Sequence, residues 1–202
     1  MHSMLNLFGQ SQVFPPDYPS SYESVVRLTD GRRVEIRPIL PSDAPELAEA
    51  IRTADAETLH ARFLGGAPRI TTAVLERLTR IDYVSHFALV ARNRGRGVAV
   101  ARYAVPPTSE DGSLVADVAV AVRPEWRRVG LATALIKELA RRAQECGITD
   151  FTALFLAENR PVTELAHEGH ARVVIAEGIA QLHGKLTDPP EDWSSHDRPV
   201  PE

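Results

Sequence analysis

Three arginines, Arg123, Arg127 and Arg128, stand just ahead of Gly130 in the stretch RPEWRRVGLATAL, and an amphipathic helix follows. A helix start carries N–H groups with no acceptor and the positive end of the helix dipole. An anion placed there is held by the backbone itself. Gly130 has no Cβ to keep a ligand oxygen from the chain, Ala132 keeps the next turn thin, and arginine forks suit phosphate. A plain strand-to-helix corner with solvent-facing arginines would carry the same residues, so the motif alone leaves both readings open. The preceding run, VADVAVAV, is apolar except for Asp117. By period two Asp117 shares a face with Ala119 and Ala121, opposite Val118, Val120 and Val122. A carboxylate beside two alanines either has room for a substrate next to it or simply faces solvent.

The elements that must position these residues follow from periodicity. SVVRLTDGRRVEIRPI is two alternating runs around Asp30-Gly31, which predicts a hairpin. In LPSDAPELAEAIRTA, Asp43 with Glu46 three residues on predicts a capping box at a helix start. DAETLHARFL and TTAVLERLTRI predict two more short helices with polar caps. HFALVAR and VAVARYAV predict strands joined by NRGRG, and LVADVAVAV is the next strand. From Leu131 the apolar residues recur at Leu135, Leu139 and Ala143, one stripe of a helix that Gly147 ends. ITDFTALFL, NRPVTELAH, ARVVIA and IAQLHGKL then predict strand, helix, strand, strand. The order predicts an α/β domain around a mixed sheet.

The 202 residues are 44% hydrophobic and 25% charged, which is enough to bury a core. A net charge of −4 gives no global field to attract nucleic acid, and none is expected as a partner. Cys146 is the only cysteine, so no intramolecular disulfide forms, which suits a cytoplasmic location. The apolar runs fall short of the ~20 residues that span a bilayer, so no membrane partner is expected. HEGH, at residues 167–170, lacks the i, i+4 histidine spacing of a zinc site, and no metal is expected. Residues 1–22 form a Pro- and Ser-rich arm, 23–186 the domain, and 187–202 an acidic, Pro-rich tail.

VRPEWRRVGLATALI resembles the acetyl-CoA motif of the GNAT N-acetyltransferases, V-x-P-x-x-[QR]-x-x-G-x-[GA], matched at Val122, Pro124, Arg127, Gly130 and Ala132. AENRP, with Asn159 at a helix start, resembles the second cofactor motif. DGRRVEIRPILPSDAPEL with RFL and LERLTRIDYVSHFALVA is similar to one branch, the catalytic domain of bacterial protein lysine acetyltransferases that modify acyl-CoA synthetases. The likeness covers residues 23 to 186, and the regulatory domain that members of this branch often carry is not expected beside the two short tails.

The resemblance implies a mixed, mostly antiparallel sheet flanked by helices and splayed at the cofactor site. It implies acetyl-CoA as co-substrate, with the pantetheine arm along Val120, Ala121 and Val122. The diphosphate would lie on the amides of Arg128, Val129, Gly130, Ala132 and Thr133, where the helix opens at Leu131, and Asn159 would face the arm. Transfer to an amine requires the neutral amine, and a lysine with pKa about 10.4 is almost wholly protonated near pH 7. The branch uses a Glu as base where this chain has Asp117, one methylene shorter, so the proton would pass to Asp117 directly or through a water. The superfamily's usual Tyr acid has no counterpart in NRPVTELAHEGHA, although His167 stands nearby. The favoured acceptor is a protein lysine. The rivals are a small amine, such as an aminoglycoside or polyamine, and a non-catalytic acyl-CoA sensor.

Overall fold

The structure, a computed structural model, describes residues 3–5, 11–54, 69–107 and 114–186. The helix expected at DAETLHARFL and all but the last residue of the RFLGGAPR stretch fall outside these residues. A short hairpin, β1 (Ser3–Leu5) and β2 (Ser11–Val13), precedes the main sheet. That sheet has eight strands: β3 (Ser24–Arg27), β4 (Arg33–Pro38), β5 (His86–Asn93), β6 (Arg96–Ala104), β7 (Val115–Val122), β8 (Asp150–Leu156), β9 (Arg172–Ala176) and β10 (Ile179–Lys185). Their spatial order is β3-β4-β5-β6-β7-β8-β10-β9. Every neighbouring pair is antiparallel except β7 and β8, which run parallel. Among the described residues the helices are α1 (Ala44–Thr53), α2 (Thr72–Thr79), α3 (Leu131–Glu145) and α4 (Arg160–Glu168).

The parallel pair needs a crossover, and α3 supplies it. Its predicted stripe of Leu131, Leu135, Leu139 and Ala143 is almost wholly buried. The stripe packs on Phe87, Leu89, Ala101 and Tyr103, with Val118, Val120 and Val122 partly buried against the same core. Asp117, Ala119 and Ala121 therefore face the other side of the sheet, as period two predicts. Tyr18 and Tyr22 of the amino-terminal arm also pack here, Tyr22 against Phe87 at 5.2 Å between ring centroids.

One predicted cap is replaced. Asp43 precedes α1 but makes no side-chain cap bond, and its backbone is already helical. Its carboxylate accepts from both Arg37 guanidinium nitrogens, at 2.8 and 2.6 Å, and from Leu40 N–H at 2.8 Å. Glu46 does not complete a capping box either. It accepts from Gly97 N–H at 2.7 Å and pairs with Arg92 at 3.1 Å. Two half-buried arginines outcompete a few orphan amides for these carboxylates, because leaving the buried Asp43 charge unpaired costs more than an uncapped helix end. The result ties α1 to β4, β5 and β6. The cap predicted for the later helix does form, as Thr71 accepts from Val74 N–H ahead of α2.

Candidate active site

Strands β7 and β8 pair only from Val115–Asp150 to Asp117–Thr152. Beyond that point β7 runs on to Val122 and β8 to Leu156 without pairing, so the sheet splays. Arg123 N–H donates to Val98 O on the β6 side. Alternate residues of a strand direct their amides to opposite neighbours. The amides of Ala119 and Ala121 thus serve β6, and those of Val120 and Val122, beyond the last paired rung at Asp117–Thr152, open into the gap.

The gap leads to the start of α3. Gly130 is the N-cap residue with φ of 81°, a left-handed conformation that glycine adopts without strain. Arg128 is also left-handed, with φ of 61°, and Val129 between them is not. Backbone that alternates in this way turns successive amides into one concavity. The first helical bond is Ala134 N–H to Gly130 O, so the amides of Leu131, Ala132 and Thr133 have no helical acceptor. Glycine at 130 is explained by its backbone angle as much as by ligand approach. An added Cβ would lie 3.6 Å from Thr29 Cγ2, an ordinary contact.

A cleft of about 1740 Å³ joins the gap to this loop. It is lined by Asp117, Val120, Ala121, Val122, Arg127, Arg128, Gly130, Leu131, Ala132, Thr133 and Asn159, the residues named from the sequence apart from Val129. The Val129 side chain packs on the core and its carbonyl accepts from Thr29 N–H. Asn159 is the N-cap of α4, yet its side chain makes no capping bond. Trp126 is 8% exposed, with Arg32 stacked 3.9 Å over its ring. It staples the helix start, and the β3–β4 turn braces the loop from behind.

The arginines behave differently from expectation. Arg123 Nε donates to Gly97 O at 2.9 Å and Arg127 Nε to Val122 O at 3.2 Å. Arg128 reaches across the cleft mouth to Glu164 at 3.1 Å. Arg123 and Arg127 keep their charge beside the loop, since a carbonyl acceptor neutralises none of it, and the loop adds its own converging amides. On the opposite face the exposed Asp117 accepts a hydrogen bond from Thr152 Oγ1 at 2.5 Å. Thr152 and Glu164 went unnoticed in sequence as site neighbours. Only the β7–β8 register and the placement of α4 bring them near, and neither leaves a local signal. His167, in the last turn of α4, is outside the cleft lining, where His170 stands instead. Among the described residues no group of three His, Cys, Asp or Glu side chains could hold a metal ion. None of their helices is long and apolar enough to cross a membrane.

Residues 54–170, more than half the chain, match the acetyltransferase (GNAT) family. The chain belongs to the GNAT acetyltransferase family. Among relatives of this GNAT protein, acetyltransferase PA5475 of Pseudomonas aeruginosa is 31% identical over 145 residues, covering 70% of this chain and 76% of that protein. Acetyltransferase Pat of Mycolicibacterium smegmatis is 26% identical over 167 residues, covering 83% of this chain but 49% of its own length. The crystal structure of the GNAT domain of S. lividans PAT superposes with a TM-score of 0.75 at 27% identity, covering 83% of this chain and 99% of that domain. The eight-stranded, mostly antiparallel sheet of this GNAT protein is the architecture of that neighbour.

Proposed function

We propose that this GNAT protein transfers an acetyl group from acetyl-CoA to a primary amine, the side chain of a protein lysine. The observation that carries the reading is the parting of β7 from β8 immediately beyond Asp117, in line with the amide-rich start of α3. The residues present fit a CoA thioester: free strand amides for a pantetheine arm, then a concave loop for a diphosphate. Acetyl-CoA supplies the activated acetyl group.

The chain's own residues do the rest. Amides from Arg128 to Thr133 hold the diphosphate without side-chain charge. The gap-facing amide of Val120 donates to the acyl oxygen and stabilises negative charge as it grows there. Asp117, on the face away from α3, takes the proton of the incoming ammonium directly or through one water. The neutral nitrogen then bonds to the acyl carbon as the carbon–sulfur bond breaks, and the second proton of the nitrogen leaves with the sulfur as the free thiol. No covalent enzyme intermediate is required. The lysine acceptor rests on the sequence likeness to the protein-acetylating branch.

The test measures thiol release from acetyl-CoA with lysine-bearing proteins, including acyl-CoA synthetases, beside a panel of polyamines and aminoglycosides. Release with protein lysines is expected. Preference for a small amine would reassign the acceptor. Calorimetric binding of CoA with no release across the whole panel would overturn transfer and leave a sensor.

A further inference from the structure

Asp117 and Thr152 form the last rung of the β7–β8 ladder. Their side chains share the sheet face turned away from α3, and the threonine hydroxyl lies 2.5 Å from Asp117 Oδ1. An ionised carboxylate only accepts, so Thr152 is the donor. On the far side of Thr152 stands His183 of β10, paired in register with it. The His183 ring is taken by another partner: its Nε2–H donates to Asp150 Oδ1 at 2.9 Å. The Asp150 carboxyl is held below its usual range by hydrogen bonds from Thr149 and His183 and by the charges of His183 and Lys185. With His183 turned to Asp150, the Thr152 hydroxyl proton is directed to Asp117.

We propose that Thr152 is a positioning residue for acetyl transfer: its hydroxyl fixes Asp117 Oδ1, so that Oδ2 is the oxygen presented to the acceptor amine. The proposal rests on the reading of Asp117 as base. An exposed aspartate otherwise samples several rotamers, and a carboxylate misplaced by an ångström loses much of its effect. Threonine suits the task because its β-branched side chain is stiff at χ1 and is carried on a strand held by β10. After proton capture Oδ2 carries the proton while Oδ1 keeps the Thr152 bond, so the same contact serves both states of the base.

The experiment compares Thr152→Val, Thr152→Ser, Asp117→Asn and the Thr152→Val/Asp117→Asn double variant in the full chain. Steady-state thiol release is followed with acetyl-CoA and poly-L-lysine. Thr152→Val is expected to lower kcat about tenfold with the KM for acetyl-CoA unchanged. Thr152→Ser should recover most of the rate, and Thr152→Val should cost nothing further in the Asp117→Asn background. A slow Asp117→Asn beside a Thr152→Val as fast as the parent would overturn the positioning role alone. So would an equal loss from Thr152→Val in both backgrounds. An Asp117→Asn as fast as the parent would remove the base and the proposal with it. A crystal structure of Thr152→Val with CoA gives a readout independent of the acceptor. Asp117 should lose its single rotamer, and an unchanged carboxylate would refute the proposal.

Discussion

Gly130 and Arg128 separate two ways of holding a diphosphate, by amides or by side-chain charge. Arg128 is already engaged with Glu164, and both side chains are well exposed, a setting in which an ion pair contributes little. Gly130 lies where the amides converge, and a carboxylate placed there would occupy the anion's place. The contact with Thr29 at 3.6 Å leaves room for a Cβ, so a substitution should strain the backbone by only about 1–2 kcal/mol and leave the domain folded. Gly130→Asp is therefore expected to abolish CoA binding by calorimetry, whereas Arg128→Ala weakens it no more than severalfold. Arg128→Ala losing as much as Gly130→Asp would return the charge to the side chain. Asp117→Asn should keep CoA affinity and lower turnover at least tenfold; full activity would take Asp117 out of the mechanism.

Helix α1 shows how an element is docked rather than capped. Asp43 is 6% exposed and receives Arg37 from β4, Arg92 from β5 and the Leu40 amide. Burial pushes the Arg37 guanidinium down, but the hydrogen bonds and charge of Asp43 more than offset this and hold it above its usual range. Removing one member of a buried pair leaves the other uncompensated. Asp43→Ala is expected to lower unfolding free energy by about 3 kcal/mol in urea titrations. A change below about 1 kcal/mol would show that Arg92 and Arg37 find other partners, and that α1 is held by its apolar contacts.

The sheet, α3 and the arm fold around one core, so a ligand bound at the cleft should stabilise the domain as a unit. At a hundredfold excess over its Kd, CoA should add about 2.7 kcal/mol, roughly 5–10 °C in Tm for a chain of this size. Gly130→Asp should show no such shift, and a shift of equal size would place the nucleotide elsewhere. Acid acts on the whole molecule too. Burial raises the Glu145 carboxyl, but the Tyr22 hydroxyl and the charges of Arg141 and Arg142 outweigh it and hold it below its usual range. Asp82 is likewise raised by burial and lowered further by Ser85 and by the amides of His86 and Val84. Both groups bind fewer protons folded than unfolded near pH 4. Their contribution is present above the ordinary carboxylate range and is lost as pH falls through the depressed folded values. Thermal melts from pH 6 to pH 3 should show Tm falling below about pH 4, and a rise there would contradict the sign.

The sequence by itself determined the local and periodic features. These are the hairpin at Asp30-Gly31, the buried stripe of α3, the face assignment of Asp117 and the glycine that opens α3. Each depends on residues within a few positions of one another, where φ/ψ limits and side-chain period act directly. Only the tertiary structure decided where the charges went. Asp43 and Glu46 have the spacing of a cap, and Arg123, Arg127 and Arg128 have the look of a phosphate clamp. Yet Asp43, Glu46, Arg123 and Arg128 take partners from a strand or helix beyond their own local motif, and Arg127 turns back to the Val122 carbonyl. Thr152 beside Asp117 lay beyond reach of the sequence for the same reason. The register of two parallel strands joined through a fifteen-residue helix is set by how α3 packs, and no local pattern in either strand records it.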